Sequence, residues 1–273
     1  MPRYSALDRF TLKAATKAAE LLMAPANRRE VFDQFVMTVT AVTELSEHMR
    51  RITFHAPEFA SFAVTGPDEY FGLLMATDRE LVMPADDRIN VRSSLRAMPE
   101  DVRPDLRWYT VRAHRADVAE IDVDFVVHGD AGPGTRWARR AEAGQKAGFR
   151  AGGSAYRPPT SGAVLLAADE TALPALAAIL STETRPLHVF VEVPDPSFQL
   201  DLDATWVFRG SDEPGSAVVK AIQDATLSTV DYAWACGESG LATGVRRHLV
   251  KDRDVDRKAI MFSGYWKVGS ARM

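Results

Sequence analysis

Two segments of this chain carry the residue types that a phosphorylated aromatic cofactor requires. The first is residues 107–112, RWYTVR, and the second is the glycine-rich turn at 128–134, HGDAGPG. A flavin dinucleotide needs a hydroxyl and an aromatic ring beside its isoalloxazine, cations for its pyrophosphate, and a turn whose backbone N–H groups can approach the phosphate oxygens. The two segments supply these parts in order along the chain, and they predict a flavin site.

Polar residues follow the glycine-rich turn, where a short helix is predicted over 137–141. A hydroxyl and a guanidinium at a helix start add to its free N–H donors, so Thr135 and Arg136 are predicted phosphate contacts. His128 has no carboxylate or thiol partner at metal-ligand spacing, and we expect it to line the flavin or cap the turn. The pattern leaves Trp137 open between core packing and stacking near an adenine.

The second half of the chain offers two strand ends at which a nucleotide could bind. Asp169, Glu170 and Thr171 follow a predicted strand, the usual place for a pyridine dinucleotide. The GxGxxG fingerprint is absent there, and two acids would cap a helix and repel a pyrophosphate, so helix capping leads on the residues alone. At the other strand end, Gly237 would let a nicotinamide lie against the flavin, and Glu238 could orient its carboxamide.

The elements that must position these residues fall into two sets. Short strands separated by turns indicate a closed or nearly closed antiparallel barrel. They are predicted over 35–40, 49–54, 70–76, 107–112, 121–127 and 145–149. A stretch rich in glycine and proline at 152–162 is expected to be irregular. Beyond it, strands alternate with helices and indicate a parallel sheet with ligands at the strand C-termini. These strands are predicted over 164–167, 187–193, 205–208, 231–235 and 259–262, and the helices over 173–181, 216–225 and 241–250.

The predicted organisation is a helical extension at 1–34, a β-barrel domain at 35–155 and an α/β domain at 156–273. Residues 10–23 are rich in helix formers and predict an amphipathic helix. Its apolar positions, spaced by three or four, are Leu12, Ala15, Ala19, Leu22 and Met23. Packing of this face against the rest of the chain is favoured over a subunit interface or a membrane surface.

Composition excludes several classes of protein. The 273 residues include 33 basic and 37 acidic side chains, so the formal net charge of −4 provides no global attraction for nucleic acid or an anionic membrane. A single cysteine allows no internal disulfide and fits a reducing cytoplasm. No segment approaches the ~20 apolar residues of a membrane-spanning helix. We therefore expect a cytoplasmic protein with no nucleic-acid partner and no integral membrane segment.

Four motifs in sequence order carry a family resemblance. The RWYTVR string, the HGDAGP turn with Trp137, the DETALP segment at 169–174 and the closing GYWK at 264–267 resemble siderophore-interacting proteins. These are FAD-containing ferric-siderophore reductases of the ferredoxin-reductase-like superfamily. The resemblance covers roughly residues 36–269. It implies an FAD-binding antiparallel barrel followed by an NAD(P)H-binding α/β domain.

The resemblance also implies a reaction. A hydride would pass from NADPH or NADH to the flavin, and single electrons would then reduce ferric iron held in a siderophore. A hard-oxygen chelate holds iron(II) more loosely than iron(III), and the iron would be released. A ferredoxin is a possible alternative electron donor. A general NAD(P)H:flavin or ferredoxin-type oxidoreductase, or a flavin- or siderophore-binding module without turnover, remain alternatives.

Residue roles follow from the same resemblance. Arg107 would contact the flavin phosphates, Tyr109 would pack on the isoalloxazine or ribityl chain, and Thr110 would bond near N5. Trp266 would cover the flavin face. Lys267 stands where family members often have arginine, and a lysine keeps the positive charge but cannot form the bidentate hydrogen bonds of a guanidinium. The implied FAD contacts are Arg107, Tyr109, Thr110, Val111, His128, Gly132, Thr135, Arg136 and Trp266.

The superfamily binds nicotinamide dinucleotides without the glycine fingerprint, so the resemblance reverses the interpretation of the DET segment. The implied contacts are Asp169, Thr171, Arg209, Ser211, Gly237 and Glu238. Arg209 and Ser211 follow the strand 205–208, where the superfamily often reads the adenosine ribose. A cation plus a hydroxyl suits a 2′-phosphate, so NADPH is expected over NADH, with an exposed turn as the alternative.

Three cations are candidates for docking an anionic ferric siderophore. They are Arg246, Arg247 and Lys267. Because the protein is acidic overall, the attraction has to come from a local basic patch. Arg246 and Arg247 are adjacent on a predicted helix, about 100° apart, so at most one can face the site squarely. Solvated surface charge is the alternative for each.

Overall fold

A computed structural model describes residues 4–76, 80–127 and 132–270. It divides into two compact units, Met1–Ala18 with Asn27–Ser154 and Ala19–Ala26 with Ala155–Met273. The division after Ser154 lies next to the predicted boundary, and the N-terminal segment is shared between the units instead of forming one of its own. His128 lies outside the described residues, so its proposed role stays a prediction.

The first unit is built on an antiparallel sheet. Its strands are β1 (Asn27–Arg28), β2 (Gln34–Ser46), β3 (Met49–His55), β4 (Tyr70–Met75), β5 (Asp105–Thr110), β6 (Ala113–Arg115), β7 (Glu120–Val126) and β8 (Lys146–Ser154). The strand order is β5-β4-β8-β2-β3-β7-β6, and β1 pairs with β8. Within the described residues β5 and β6 are not paired, so the predicted barrel is confirmed as a barrel-like sheet that is not closed. The two shortest strands, β1 and β6, were not predicted.

Alternation along β7 separates an apolar face from a charged face, and both are buried at the centre of the strand. Ile121, Val123 and Phe125 enter an apolar core, whereas Asp122 and Asp124 lie on the other face. Two arginines on neighbouring strands form ion pairs with these carboxylates. Arg51 donates to both oxygens of Asp124 at 2.7 and 2.9 Å, and Arg115 donates to both oxygens of Asp122 at 2.6 and 2.9 Å. The charged face is therefore an ordered ladder of ion pairs.

The expectation of an irregular segment from residue 152 onward is wrong for its first residues. Gly152 and Gly153 belong to β8, which continues to Ser154. A Cβ on Gly152 would lie 2.4 Å from the carbonyl oxygen of Tyr70, and one on Gly153 would lie 2.6 Å from that of Asn27. Glycine here permits the close approach of two neighbouring strands, so it extends the sheet.

The second unit is a parallel sheet with helices, as predicted. Its strands are β9 (Val164–Asp169), β10 (Leu187–Val193), β11 (Thr205–Phe208), β12 (Tyr232–Glu238) and β13 (Ile260–Trp266), in the order β11-β10-β9-β12-β13. Every residue of β9 and β12 is buried, as expected for central strands covered on both faces. Because all five strands are parallel, their carboxyl ends meet at one edge.

Six α-helices are assigned within the described residues. They are α1 (Ala6–Glu20), α2 (Val91–Arg96), α3 (Pro133–Arg140), α4 (Leu173–Leu180), α5 (Ser216–Asp224) and α6 (Ser239–Asp252). The sequence did not predict α2. Among the described residues, no helix combines the length and apolarity needed to cross a membrane.

An N-terminal helix forms, but α1 spans Ala6–Glu20 instead of the predicted 10–23, so Leu22 and Met23 of the predicted apolar face lie beyond its end. None of its residues is buried, and Leu7 and Phe10 are 74% and 71% exposed. On the predicted apolar face, Leu12 and Ala19 are half-buried and Ala15 is exposed. Packing of this face against the rest of the chain, the favoured expectation, is therefore only partial.

Candidate functional site

Strand β5 presents different side chains on its two faces. Leu106 and Trp108 pack in a small apolar cluster with Leu74. Arg107 and Tyr109 point to the opposite face, because side chains alternate along a strand. The Tyr109 ring packs on Phe125 with 4.3 Å between ring centroids. One cation and one phenol of the RWYTVR motif therefore share a face.

The start of α3 lies against that face. Gly134, in its first turn, is so close to β5 that an added Cβ would lie 2.0 Å from Tyr109 Oη and 3.6 Å from Arg107 Cγ. The N-cap residue Gly132 provides no side-chain cap. The first N–H groups of a helix, here including those of Gly134 and Thr135, have no acceptor inside it. Glycine thus allows the uncapped start of α3 to stand against the Tyr109 phenol and the Arg107 side chain.

This arrangement is an anion cradle of the kind that binds phosphate. The positive end of the α3 dipole and the charge of Arg107, whose Nη1 also donates to the Leu106 carbonyl at 2.7 Å, both favour an anion near the start of α3. Burial raises the pKa of Tyr109 well above its ordinary value, although Arg107 opposes the shift. The phenol is therefore neutral at physiological pH and can donate a hydrogen bond. The donor set fits the pyrophosphate and ribityl groups of a flavin dinucleotide.

The other predicted flavin contacts are distributed around this cradle. Thr110 is buried at the end of β5. The Val111 side chain is buried in the core, and its N–H donates to the Glu69 carbonyl at 2.7 Å. Thr135 is half-buried and Arg136 is exposed on α3. Their individual contacts to FAD stay predictions.

Trp137 lies in the core of the first unit. Its ring stacks on Phe54 with 6.0 Å between centroids and 12° between planes. The indole is 4% exposed. This location decides between the two interpretations that the sequence left open, since a ring buried among core aromatics is not available to an adenine.

In the second unit, Asp169 joins three strand ends. Its carboxylate accepts hydrogen bonds from the Thr171 N–H at 2.9 Å, the Thr171 hydroxyl at 2.6 Å, the Glu238 N–H at 2.7 Å and the Trp266 indole N–H at 2.8 Å. Asp169 is fully buried. The carboxyl ends of β9, β12 and β13 are therefore tied together at one carboxylate, and the orientation of Trp266 is fixed by it.

The burial of Asp169 has an electrostatic consequence. Desolvation, followed by the neighbouring charge of Glu170, raises the pKa of Asp169 to about 6, although its hydrogen bonds oppose this rise. Space at this point is also limited. Gly237 has a φ of +141°, and a Cβ there would lie 2.6 Å from Asp169 Cγ. Glycine is required at position 237 on both counts.

The carboxylate of Glu238 caps a helix. It accepts from the N–H groups of Gly240 and Leu241 at the start of α6, the latter at 3.2 Å, and from the N–H of Val268 at 3.3 Å. For Asp169 and Glu170 the sequence left helix capping as the alternative to nucleotide binding. The structure shows that Glu238, at the end of β12, makes capping contacts of this kind. A direct contact of Glu238 with a carboxamide stays a prediction.

Arg209 is engaged by two glutamates. Its two terminal nitrogens donate to the two carboxylate oxygens of Glu170, each at 2.7 Å. Glu192 Oε1 lies 3.7 Å from Arg209 Nη1. The expectation that Arg209 reads a 2′-phosphate assumed a guanidinium without such partners. Ser211, its proposed companion, is exposed.

Comparison with known proteins places this chain in a family. The family model of the siderophore-interacting FAD-binding domain matches residues 38–155, and that of the siderophore-interacting protein matches residues 162–269. An uncharacterized protein of Mycobacterium tuberculosis is 30% identical over 252 residues, which cover 85% of this chain and 89% of that protein. This chain belongs to the siderophore-interacting protein family.

Further relatives agree with this assignment. Ferric vibriobactin reductase ViuB of Vibrio cholerae is 28% identical over 194 residues, 67% of this chain and 72% of that protein. The crystal structure of a siderophore utilization protein from T. fusca has a TM-score of 0.76 and 27% identity, covering 89% of this chain and 95% of that one. The ferredoxin reductase in carbazole 1,9a-dioxygenase, at 16% identity and a TM-score of 0.60 over 86% of this chain and 70% of that one, shares the fold.

In this member of the siderophore-interacting family, the three candidate docking cations differ in their surroundings. The Arg246 guanidinium lies over the Phe262 ring at 4.7 Å and donates to the Leu22 carbonyl at 3.0 Å. Lys267 is five residues further along the chain than Phe262, a span of roughly 16 Å at the rise of a strand. Arg247 is exposed on α6. The structure therefore does not bring Arg246 and Lys267 together, and the role of each cation stays a prediction.

Two features of the site were missed by the sequence analysis. The bond from Trp266 to Asp169 joins residues 97 positions apart, and the pair between Arg209 and Glu170 joins residues 39 positions apart. A signal for the second pair was present, since one cation stands among many acids in this region. Which acid it contacts depends on the order of strands in the sheet.

Proposed function

We propose that this chain is an FAD-dependent reductase of ferric siderophores that takes electrons from NADH or NADPH. The observation that carries the proposal is the anion cradle of the first unit. There, Arg107, Tyr109 and the N-terminus of α3 meet at a point where Gly134 leaves room for their close approach. The named activity of the ViuB relative supports the substrate class.

The residues of the first unit would hold the cofactor. When bound, FAD would supply the capacity to accept a hydride from a nicotinamide and to deliver single electrons to iron. Arg107 and the N–H groups at the start of α3 would bind its phosphates. Tyr109, kept neutral by its burial, would donate to or pack on the ribityl and isoalloxazine groups. Thr110 follows on the same strand and is the proposed neighbour of the reactive edge.

The residues of the second unit would receive the electron donor. A dinucleotide binds at the carboxyl ends of parallel strands. Asp169, Thr171, Gly237 and Glu238 occupy those ends in this chain. Ferric iron in its siderophore is the substrate. Its reduction weakens the hold of hard oxygen ligands and would release the metal.

A spectroscopic and kinetic experiment tests the function. We expect the purified protein to contain noncovalent FAD, its absorbance to bleach under anaerobic NADH or NADPH, and the reduced protein to convert a ferric siderophore to iron(II) trapped by a ferrous chelator. A colourless protein that fails to bind added FAD at micromolar concentration contradicts the cofactor assignment. Bleaching without reduction of any ferric chelate would instead favour a general flavin reductase.

A variant pair tests the cradle itself. Gly134→Ala places a methyl group against the Tyr109 hydroxyl, and we expect FAD affinity to fall roughly tenfold or more, as overpacking costs about 1–3 kcal/mol. Adding Tyr109→Phe removes the hydroxyl that the methyl group meets. The double variant should recover part of the lost affinity in a fluorescence titration of the apoprotein. Unchanged affinity in Gly134→Ala would show that FAD does not use this approach.

A further inference from the structure

The chain segment around β11 contains little positive charge. Residues 194–215 read PDPSFQLDLDATWVFRGSDEPG, which holds five carboxylates and one cation, Arg209. This segment begins at the end of β10 and continues past the end of β11, at the edge where a parallel sheet binds a dinucleotide. Within the segment, attraction for an additional phosphate group would depend on Arg209.

Arg209 is neutralised before any ligand arrives. Both of its terminal nitrogens are bonded to Glu170 at 2.7 Å, and Glu192 lies 3.7 Å away. The Arg209 side chain is 10% exposed, and those of Glu170 and Glu192 are 5% and 0% exposed. Two carboxylates and one guanidinium leave this buried group with a net negative charge.

The two glutamates are themselves fixed in place. Glu192 accepts from the N–H groups of Gly215 at 2.6 Å and Val218 at 2.9 Å, at the start of α5. Glu170 is adjacent in sequence to the buried Asp169, whose carboxylate joins the ends of three strands. Moving Arg209 toward a ligand phosphate would leave buried carboxylates without their cation, which is strongly unfavourable. A 2′-phosphate, with a charge of about −1.5 to −2, would also be repelled by the net negative charge of this group.

We propose that Glu170 and Glu192 make the nucleotide site of this chain select NADH over NADPH by holding Arg209 away from a 2′-phosphate. The proposal rests on the function proposed above. An unphosphorylated ribose carries no charge, so it is not repelled by the same group. The sequence alone led to the opposite expectation, since it showed the arginine without its partners.

Reduction of the flavin by each nucleotide tests the proposal. In anaerobic stopped-flow and steady-state assays of the FAD-loaded protein, we expect kcat/KM for NADH to exceed that for NADPH by about tenfold or more. Glu170→Gln removes one charge from Arg209 and keeps the side-chain length. It should reduce the preference by about tenfold, through a lower KM for NADPH.

Glu213→Gln is the matched control. It makes the same chemical change on an exposed residue four positions from Arg209, and it should leave the preference unchanged. If it shifts the preference as much as Glu170→Gln does, long-range charge is responsible and the assignment to Glu170 is wrong. Far-ultraviolet circular dichroism and FAD content confirm that each variant is folded.

Binding of nucleotide fragments provides a readout without turnover. Isothermal titration of the FAD-loaded protein with 5′-AMP and with adenosine 2′,5′-bisphosphate should show no gain from the 2′-phosphate in the wild type. Glu170→Gln should bind the bisphosphate more tightly than the wild type does. A wild type that binds the bisphosphate more tightly than 5′-AMP would overturn the proposal.

The possible failures are distinguishable. A wild-type preference for NADPH overturns the proposed selectivity and leaves the proposed function intact. If neither nucleotide reduces the flavin while chemically reduced protein still reduces a ferric siderophore, the nicotinamide part of the proposed function fails and the selectivity fails with it. In Arg209→Ala, a selective rise in KM for NADPH would likewise show that the guanidinium contacts the phosphate.

Discussion

The two candidate binding regions contain arginines that are held in opposite ways. In the first unit, Arg107 stands beside the uncapped start of α3, and no carboxylate of the described residues forms an ion pair with it. In the second unit, Arg209 is hydrogen-bonded to the buried Glu170 and lies 3.7 Å from the buried Glu192. The first region can receive an anion, whereas the second has its positive charge already satisfied. An arginine after or within a strand is therefore a phosphate contact only where the surrounding acids leave it available.

The largest expected effect concerns the arginine that is already paired. Arg209→Met leaves Glu170 and Glu192 buried without a cation, so the free energy of unfolding should fall by about 3–5 kcal/mol. Urea denaturation of the apoprotein measures this. The double variant Arg209→Met with Glu170→Met should recover part of the loss, because an apolar pair can replace a buried ion pair. A single variant within about 0.5 kcal/mol of the wild type would contradict the comparison.

Replacement of Arg107, in the anion cradle, should weaken FAD binding and leave the stability of the apoprotein almost unchanged. Arg107→Met removes a charge-assisted contact to phosphate, and FAD affinity should fall by roughly ten- to hundredfold, or about 1.5–3 kcal/mol. The stability of the apoprotein should change little, since Arg107 balances no carboxylate among the described residues. Equilibrium titration with FAD at low and high salt measures the first quantity, and urea denaturation measures the second. Loss of apoprotein stability comparable to that of Arg209→Met would remove the distinction between the two arginines.

A smaller effect, on the pH dependence of stability and of tryptophan emission, is expected from Asp169. The pKa of Asp169 is raised from its ordinary value to about 6, so the folded state binds a proton more tightly than the unfolded state does. The resulting stability is present below about pH 4 and is lost as pH rises through about 6. Protonation of Asp169 also removes the negative charge from the group that accepts the hydrogen bond of the Trp266 indole N–H. The emission of Trp266 should therefore show a transition near pH 6.

Two variants assign that transition. Trp266→Phe should remove it, because the reporting ring and the bond to Asp169 are both lost. Trp206→Phe removes a different tryptophan and should leave it in place. A transition that persists in Trp266→Phe and disappears in Trp206→Phe would place the titrating group near β11 instead.

Much of the fold could be predicted from local patterns. In β7 the alternation of apolar and acidic residues predicts one core face and one wet face; the core face is present, but Asp122 and Asp124 on the other face are buried against arginines. In the second unit, continuous apolar strands separated by helices predicted a parallel sheet. The prediction failed where local composition conflicted with long-range packing. Gly152 and Gly153 have the composition of a loop, but they continue β8 because neighbouring backbones approach too closely for a side chain.

The site shows the same limit. The RWYTVR motif and the glycine-rich turn could be proposed as parts of one flavin site, and the structure places Arg107 and Tyr109 of the first beside Gly134 of the second. Trp137 could not be assigned in this way. A tryptophan on a short helix suits a core or a ligand equally, and only its stacking on Phe54 decided the matter.

The sequence by itself determined the family, the two-part architecture and the identity of the residues with useful chemistry, because these depend on residue type, order and short-range periodicity. Only the tertiary structure decided which of those residues are available. Asp169 bonds to Trp266 and Glu170 bonds to Arg209 because β9 lies between β10 and β12 in the sheet. The energy of a charge depends on its burial and its partners, and both are set by strand order across residues far apart in the chain.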